Sequence, residues 1–231
     1  MARIVEITDA PCEWAAAIAL ARARPAQLRC CLGLHPYYAA EFSDKLLEDL
    51  KLKAKLPEVV AVGEIGLDYV KTDIPRLVQI KALEKLLAAC QELDMPAVVH
   101  CRGAYEDLRA VFKNLYTRSP KNSRFHGVVH CFSGNTGDAV FCSGLDFALG
   151  VDGPVTYPKN DELRRAFKEV GARPLVLETD SPYLPPQSSR GKRNEPQAIP
   201  EIAGKLAQIL GLPLEELARL TSENARALFR L

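Results

Sequence analysis

A regular alternation of short apolar runs and longer helix-like segments is the feature that most limits how this chain can fold. The apolar runs, whose length and residue types are typical of buried β-strands, lie at residues 3–7, 29–35, 59–67, 96–102, 127–133, 146–151 and 174–180. Segments with helical periodicity lie between them and after the last one, at residues 11–24, 43–55, 76–94, 104–118, 135–143, 159–171, 196–211 and 213–229. Strands that alternate with helices form parallel βαβ units, and strands that are apolar on both faces are covered by helices. The sequence therefore predicts an α/β protein with a parallel sheet.

The number of strands leaves two architectures open. A doubly wound parallel sheet accommodates seven strands, whereas a closed (β/α) barrel requires eight. The 231 residues contain neither an internal repeat nor a low-complexity linker that would divide them. We therefore predict one domain over residues 1–231.

Composition and charge exclude several classes of protein. With 48% hydrophobic and 26% charged residues the chain is not intrinsically disordered, and no apolar run approaches the ~18 residues of a membrane-spanning helix. The 30 Lys and Arg residues nearly balance the 29 Asp and Glu residues, so the net charge of +1 creates no general attraction for nucleic acids or membranes. Any nucleic-acid site must be local. Seven cysteines without C-x-x-C spacing are typical of reduced thiols, and we expect a cytoplasmic protein.

Ionisable residues end several of the predicted strands, where packing alone would not require them: they are His35, Glu64, His100, His130 and Asp180. In a parallel barrel the carboxyl ends of all strands lie on one face, so these five side chains would converge on one site. Neutral imidazole nitrogens and carboxylate oxygens are suitable ligands for Zn²⁺, Mn²⁺ or Mg²⁺. Each residue alone could be a hydrogen-bonded core or rim residue. Together they predict a divalent-metal site.

Residues beside these candidates have predicted orientations, because side chains alternate along a strand. Arg102 follows His100 by two residues, so its guanidinium lies on the same face, where it could hold a phosphate or pair with a carboxylate. Cys101 and Cys131 each follow a candidate ligand by one residue, so we expect their thiols to point away from the site. The basic loop 188–196 either contacts nucleic-acid backbone or is simply solvated.

Six motifs resemble, in this order, those of the TatD family of metal-dependent deoxyribonucleases in the amidohydrolase superfamily: GLHP (33–36), GEIGLDY (63–69), VVHCR (98–102), GVVHCFSG (127–134), ETDSPYL (178–184) and RNEP (193–196). The resemblance extends from about residue 3 to the end of the chain. It implies a TIM-like (β/α) barrel with a divalent-metal site at the carboxyl ends of its strands, and hydrolysis of phosphodiester bonds. The expected fold class is therefore α/β, with a barrel of this kind that lacks its first strand.

The resemblance also implies a ligand set and a cofactor. Glu64 resembles the bridging metal ligand, and His100 and His130 resemble ligands of one metal ion. Asp180 resembles a ligand that also orients or deprotonates the attacking water. The expected catalytic residues are thus Glu64 and Asp180, and the expected cofactor is one or two ions of Mg²⁺, Mn²⁺ or Zn²⁺.

Four further residues are candidates for substrate binding: they are His35, Arg102, Arg193 and Asn194. The last three match positions at which family members would contact the substrate backbone. His35 could reach the phosphate or hydrogen-bond a metal ligand. The expected partner is a DNA substrate, with RNA or tRNA as alternatives, and the sequence leaves the oligomeric state open.

The chain departs from the family pattern at its start. The family's D-x-H-x-H motif, whose two histidines hold a second metal ion, has no counterpart, because no H-x-H occurs in the 231 residues. Met1 stands where the family's second strand would be expected, which accounts for the strand missing from the count. Three explanations are open: a truncated or divergent start, an incomplete barrel around one metal ion, or loss of catalysis. We favour the first.

Three functions are compatible with these observations. The first is a divalent-metal-dependent deoxyribonuclease, expected to be a 3′-to-5′ exonuclease on single-stranded or damaged DNA. The second is an ester hydrolase acting on mischarged aminoacyl-tRNA. The third is a catalytically impaired binding protein, which the absent H-x-H supports. We favour the nuclease, because all four remaining ligand positions carry residues that can bind a metal.

Overall fold

A computed structural model describes residues 3–231 and divides the chain into two compact units, of which the first ends at Asn122 and the second runs Ser123–Leu231. The elements of both units follow the predicted alternation of strands and helices closely. The single domain over residues 1–231 stays a prediction.

The first unit is a parallel sheet with helices between its strands. Each of its four strands pairs with the next along the chain, in the order β1–β2–β3–β4. The strands are β1 (Ile4–Ile7), β2 (Leu28–Leu34), β3 (Val59–Asp68) and β4 (Ala97–Arg102). The helices are α1 (Trp14–Ala23), α2 (Asp44–Lys53), α3 (Arg76–Leu93) and α4 (Tyr105–Leu115).

The second unit repeats this pattern with three parallel strands, paired in the order β5–β6–β7. The strands are β5 (Gly127–Val129), β6 (Phe147–Val151) and β7 (Leu175–Leu177). The helices are α5 (Thr136–Gly144), α6 (Asp161–Val170), α7 (Ile199–Leu210) and α8 (Leu214–Phe229).

Apolar side chains on both faces of the strands form the core of each unit. In the first unit, α3 buries Leu83, Leu86 and Leu87. In the second, Phe147 of β6 and Phe167 of α6 are fully buried. Burying a large apolar side chain contributes roughly 1.5–3 kcal/mol, so these residues stabilise the packing of helices against strands in each unit.

Two strands end earlier than the sequence predicts. The apolar runs 127–133 and 174–180 become strands of three residues each, Gly127–Val129 and Leu175–Leu177. The φ angle is positive at Cys131 (43°), two residues beyond the end of β5, and at Asp180 (54°), three residues beyond the end of β7. A left-handed backbone cannot continue a strand, so both segments turn away at this point. His130 therefore lies in the turn after β5, and Asp180 lies in the irregular segment after β7.

Local hydrogen bonds stabilise the helix starts that the sequence suggests. Ser43 caps α2 by accepting the backbone N–H of Leu46 at 3.2 Å. At the start of α5, Asn135 and Asp138 form a reciprocal capping box, with distances of 3.0 and 3.1 Å between side chain and backbone. In residues 3–231 no helix is long and apolar enough to cross a membrane.

The structure predicts very different reactivities for the seven cysteines. Cys12 is exposed, whereas burial raises the pKa of Cys30 to about 11 and that of Cys90 to about 12. Because the thiolate is the reactive form, a thiol reagent at neutral pH should modify Cys12 first and the buried cysteines only after unfolding. Peptide mass spectrometry after timed labelling measures this, with Cys12→Ser as the control that removes the fast site. Rapid labelling of Cys30 or Cys90 in the native protein would contradict the described packing.

Candidate metal sites

Three buried ligand-type side chains meet in the first unit. His35 follows β2, Glu64 lies within β3 and His100 lies within β4, and these strands are neighbours. His100 Nδ1 is 2.7 Å from Glu64 Oε1, and His35 Nε2 is 3.8 Å from the same oxygen. One ligand atom from each residue lies within 4.8 Å of the other two. The structure thus brings together three of the five residues expected to converge, in an arrangement that fits one divalent cation.

The sequence places Glu64 at the end of a strand, but β3 continues four residues further and ends at Asp68. Asp68 is fully buried and was not predicted as a site residue. Its Oδ2 lies 3.1 Å from His100 Nε2, and its Oδ1 accepts the backbone N–H groups of Val70 and Lys71 at 2.8 Å each. The even spacing from Glu64 to Asp68 in GEIGLD was the available signal, because even spacing places both carboxylates on one face of a strand.

Asp68 is a carboxylate that stays charged although it is buried. Burial alone would raise its pKa, but the two backbone N–H groups and His100 outweigh that effect and lower the pKa of Asp68 below its usual value. His100 therefore lies between two carboxylates, with Glu64 at one ring nitrogen and Asp68 at the other. This concentration of negative charge favours a bound cation.

His35 differs from His100 in its hydrogen bonds. Its Nδ1 accepts the backbone N–H of Tyr37 at 3.3 Å, so the proton of the neutral ring is on Nε2, which faces Glu64. Burial lowers the pKa of His35 to about 4, partly offset by the charge of Glu64, and the ring is neutral at neutral pH. An imidazole with this proton position is a hydrogen-bond donor at Nε2. The geometry thus favours a role beside the ligands.

Of the two roles predicted for Arg102, the structure shows the pairing with a carboxylate. Its Nη1 lies 3.4 Å from Asp68 Oδ2 and 3.4 Å from the hydroxyl oxygen of Tyr37. The side chain remains 41% exposed. The pairing with a carboxylate is therefore present, and the exposed part of the guanidinium leaves donors for a phosphate.

A second ligand group lies in the second unit. His130 is in the turn after β5, and Asp180 is in the segment after β7. His130 Nε2 lies 3.3 Å from Asp180 Oδ1 and 3.3 Å from the sulfur of Cys131. Ligand atoms of these three residues lie within 4.8 Å of one another, which again fits a divalent cation.

The predicted orientation of Cys131 is wrong. Strand alternation would point its thiol away from His130, yet the sulfur contacts the imidazole. The reason is the positive φ of Cys131, which lies beyond the end of β5, where alternation no longer applies. Burial raises the pKa of the Cys131 thiol well above its usual value, so the thiol stays protonated in the metal-free protein.

Two further carboxyl groups surround the second group, and neither was predicted. Glu178 Oε2 lies 2.9 Å from His130 Nδ1, and Glu178 Oε1 accepts the backbone N–H of Cys131 at 2.5 Å. Asp152, directly after β6, is buried, and among the described residues its Oδ2 has no hydrogen-bond partner. Burial, reinforced by the charge of Glu178, raises the pKa of Asp152 to about 7. The carboxylates of Glu178 and Asp180 beside this imidazole provide the negative environment that a cation requires, and a bound cation would also favour the charged form of Asp152.

The two residues of the RNEP motif have different surroundings. Arg193 is exposed, as a residue that contacts nucleic-acid backbone must be. Asn194 is buried, and its amide nitrogen donates to the carbonyl oxygens of Thr179 and Tyr183 at 2.7 Å each. Its side-chain oxygen accepts the backbone N–H of Glu195 at 2.9 Å. These contacts fix the segment that contains Asp180 and occupy the donors that a substrate would need.

Comparisons with known proteins identify relatives of this chain. A family model described as TatD related DNase matches residues 1–230. The 3′-5′ ssDNA/RNA exonuclease TatD of Pantoea vagans (strain C9-1) is 37% identical over 218 residues, 92% of this chain and 82% of that protein. The uncharacterized metal-dependent hydrolase YabD of Bacillus subtilis (strain 168) is 34% identical over 200 residues, 87% of this chain and 76% of that protein. The crystal structure of YJJV, a TatD homolog from Escherichia coli K12, has a TM-score of 0.90 and 31% identity, covering 100% of this chain and 87% of that one.

The chain belongs to the TatD-related DNase family. Its similarity to the YJJV structure extends over the whole chain and confirms the predicted fold class, the TIM-barrel-like α/β fold of TatD proteins. The TatD-family motifs quoted above carry the ligand-type residues of both groups.

The protonation state of His35 predicts a pH dependence of stability in the metal-free protein. The unfolded chain takes up a proton on His35 below the ordinary pKa of about 6.5, but the native protein does so only near its lowered pKa of about 4. The free energy of unfolding should therefore fall as the pH drops from about 6.5 to about 4, by about 3 kcal/mol from this residue.

Urea unfolding of the wild type and of His35→Asn, both with EDTA at several pH values, measures the contribution of His35. Asparagine keeps an acceptor for the Tyr37 N–H but does not titrate, so its curve should be flatter over this range. Parallel curves for the two proteins would show that His35 is not held neutral by burial.

Proposed function

We propose that this chain is a divalent-metal-dependent hydrolase that cleaves phosphodiester bonds and removes nucleotides from the 3′ end of single-stranded or damaged DNA. The observation that carries the proposal is the pair of imidazole–carboxylate groups, one in each unit of a TatD-family chain. The TatD protein of Pantoea vagans is named as a 3′-5′ exonuclease on ssDNA and RNA, and YabD as a metal-dependent hydrolase. Nucleic acid is therefore the expected substrate class.

The proposed ligands are Glu64 and His100 in the first unit and His130 and Asp180 in the second. Carboxylate oxygens and imidazole nitrogens fit Mg²⁺, Mn²⁺ or Zn²⁺, and the acidic surroundings of both groups favour such a cation. Bound metal lowers the pKa of water and offsets the charge that develops on the phosphoryl oxygens.

Side chains of the protein activate the water, orient the ligands and bind the substrate. Asp180, a partly exposed carboxylate, orients the attacking water and accepts its proton. His35, whose Nε2–H faces Glu64, helps to orient that ligand. Arg102 and Arg193 bind the phosphate backbone. Asn194 acts indirectly, by holding the segment of Asp180 in place.

The comparisons favour the nuclease over the two other functions that the sequence allows. The relatives described above are named for nucleic-acid cleavage or metal-dependent hydrolysis, and none of them for hydrolysis of aminoacyl-tRNA or for binding alone. The chain lacks the two imidazoles of an H-x-H motif, so we expect weaker metal binding than the family pattern gives and cleavage that needs a high Mg²⁺ or Mn²⁺ concentration. The seven cysteines lack C-x-x-C spacing, which favours the cytoplasmic location that we propose.

The proposal predicts that Glu64→Ala abolishes metal-stimulated cleavage. The substitution removes the carboxylate next to both His100 and His35, so the first ligand group should lose its cation. Release of nucleotides from a single-stranded DNA oligomer with a labelled 3′ end, with Mn²⁺ and with EDTA, measures this loss. The matched control is Glu84→Ala, which removes an exposed carboxylate from α3 and should retain full activity. Full activity of Glu64→Ala would disprove the assignment of Glu64 as a ligand.

A second prediction concerns the basic loop. If Arg193 neutralises one phosphate, Arg193→Ala should weaken binding and reduce the slope of log K against log salt concentration by about 0.7 for single-stranded DNA. Fluorescence anisotropy at several salt concentrations, with Ca²⁺ in place of Mn²⁺ to suppress cleavage, measures both quantities. Arg165→Ala, at an exposed position on α6, is the control for a change of net charge alone. Equal slopes for the two variants would exclude a specific contact by Arg193.

A further inference from the structure

We propose that Glu178 is a positioning residue that holds the His130 ring and keeps a proton on its Nδ1, so that Nε2 carries the lone pair that binds the metal. The inference rests on the proposed function only in that it takes His130 as a metal ligand. It adds a residue with a defined task to the second ligand group. No part of it requires Glu178 to touch the metal or the substrate.

The contacts of Glu178 define this task. One carboxylate oxygen, Oε1, accepts the backbone N–H of Cys131 at 2.5 Å, and the other, Oε2, lies 2.9 Å from His130 Nδ1. A backbone N–H can only donate, so it fixes the carboxylate in place. The second oxygen is then an acceptor aimed at Nδ1, which favours the ring form that carries its proton there.

The opposite ring nitrogen faces the rest of the ligand group. His130 Nε2 lies 3.3 Å from Asp180 Oδ1, a longer separation than that between Nδ1 and Glu178. A metal ligand at Nε2 requires a lone pair at that nitrogen, and therefore a neutral ring with its proton on Nδ1. The shorter contact with Glu178 is the one that provides this ring form.

The backbone of β6 leaves room for the carboxylate of Glu178. Gly150 in β6 lies against it, and a Cβ added to Gly150 would be well under 3.0 Å from one of the carboxylate oxygens. A residue with a side chain at position 150 would therefore push Glu178 away from His130. This packing gives a way to disturb the contact without changing the chemistry of Glu178 or of any ligand.

The first test is Glu178→Gln, which preserves size but replaces one acceptor by a donor. The amide oxygen must stay on the Cys131 N–H, so the amide NH₂ group faces Nδ1 and favours a proton on Nε2 instead. Nitrogen-15 NMR of the metal-free protein, at a pH above the titration of the ring, reports which nitrogen carries the proton. The chain has four histidines, and the signal lost in His130→Gln assigns the ring.

We expect the proton on Nδ1 in the wild type and on Nε2 in Glu178→Gln. Because Nε2 then has to lose its proton before it can bind, Mn²⁺ affinity measured by electron paramagnetic resonance should fall by about 10- to 100-fold. Glu169→Gln removes an exposed carboxylate from α6 and should change neither measurement.

Gly150→Ala is the second variant. It tests the same contact by displacing the Glu178 carboxylate without changing Glu178 itself. It should lower Mn²⁺ affinity by about 10-fold or more with all ionisable residues intact, because Glu178 is displaced. Gly204→Ala on α7 is its control, since a Cβ there would meet no atom within 4 Å. A drop for Gly150→Ala but not for Gly204→Ala supports the inference even if Glu178→Gln folds poorly.

Two results would overturn the inference. One is a wild-type ring with its proton on Nε2, and the other is an unchanged proton position and unchanged Mn²⁺ affinity in both variants of this contact. If the wild type binds no Mn²⁺ at all, the proposed function fails. The NMR measurement on metal-free protein then still decides whether Glu178 sets the proton of His130, so the two failures can be told apart.

Discussion

Each of the two ligand groups is built around a buried imidazole that lies between two carboxylates. In the first unit His100 lies between Glu64 and Asp68, and in the second His130 lies between Glu178 and Asp180. Carboxylates that are removed from water are costly unless they are paired and hydrogen-bonded. The imidazole of each group offers at most one positive charge to its two carboxylates, and Arg102 adds a guanidinium beside Asp68 in the first group. A divalent cation supplies the missing positive charge. The chemistry that we propose follows from this imbalance.

The fold provides these groups through the positions at which strands stop. In the first unit, β3 continues past Glu64 to Asp68, so one strand delivers two carboxylates to the imidazole on β4. In the second, β5 and β7 stop early, and the non-strand segments that follow, whose turns begin at His130 and directly after Asp180, carry these two residues. The positive φ angles of Cys131 and Asp180 make these turns possible. Apolar packing of the strands thus decides the site geometry, although no apolar residue takes part in the chemistry.

Sequence reasoning predicts much of this arrangement and misses a definable part. Apolar runs and helical periodicity give the order of elements, because these patterns reflect the burial that forms the core. The sequence also identifies four ionisable residues that the packing of an apolar strand does not require: Glu64, His100, His130 and Asp180. Asp68, Glu178 and the thiol of Cys131 do not stand out, because their importance depends on where β3 and β5 end and on hydrogen bonds between distant segments. Strand alternation gives the wrong direction for Cys131, since the residue lies in a turn.

The most direct test of the central claim is the thermal unfolding of the metal-free protein at neutral pH as Mn²⁺ is added. A ligand that binds the native state raises the melting temperature. Mn²⁺ should do so by binding at the carboxylate–imidazole groups, where a bound cation relieves the repulsion between the carboxylates. The account predicts a melting temperature that rises with Mn²⁺ concentration towards saturation and returns to its starting value with EDTA. A melting temperature that does not change with Mn²⁺ would contradict it.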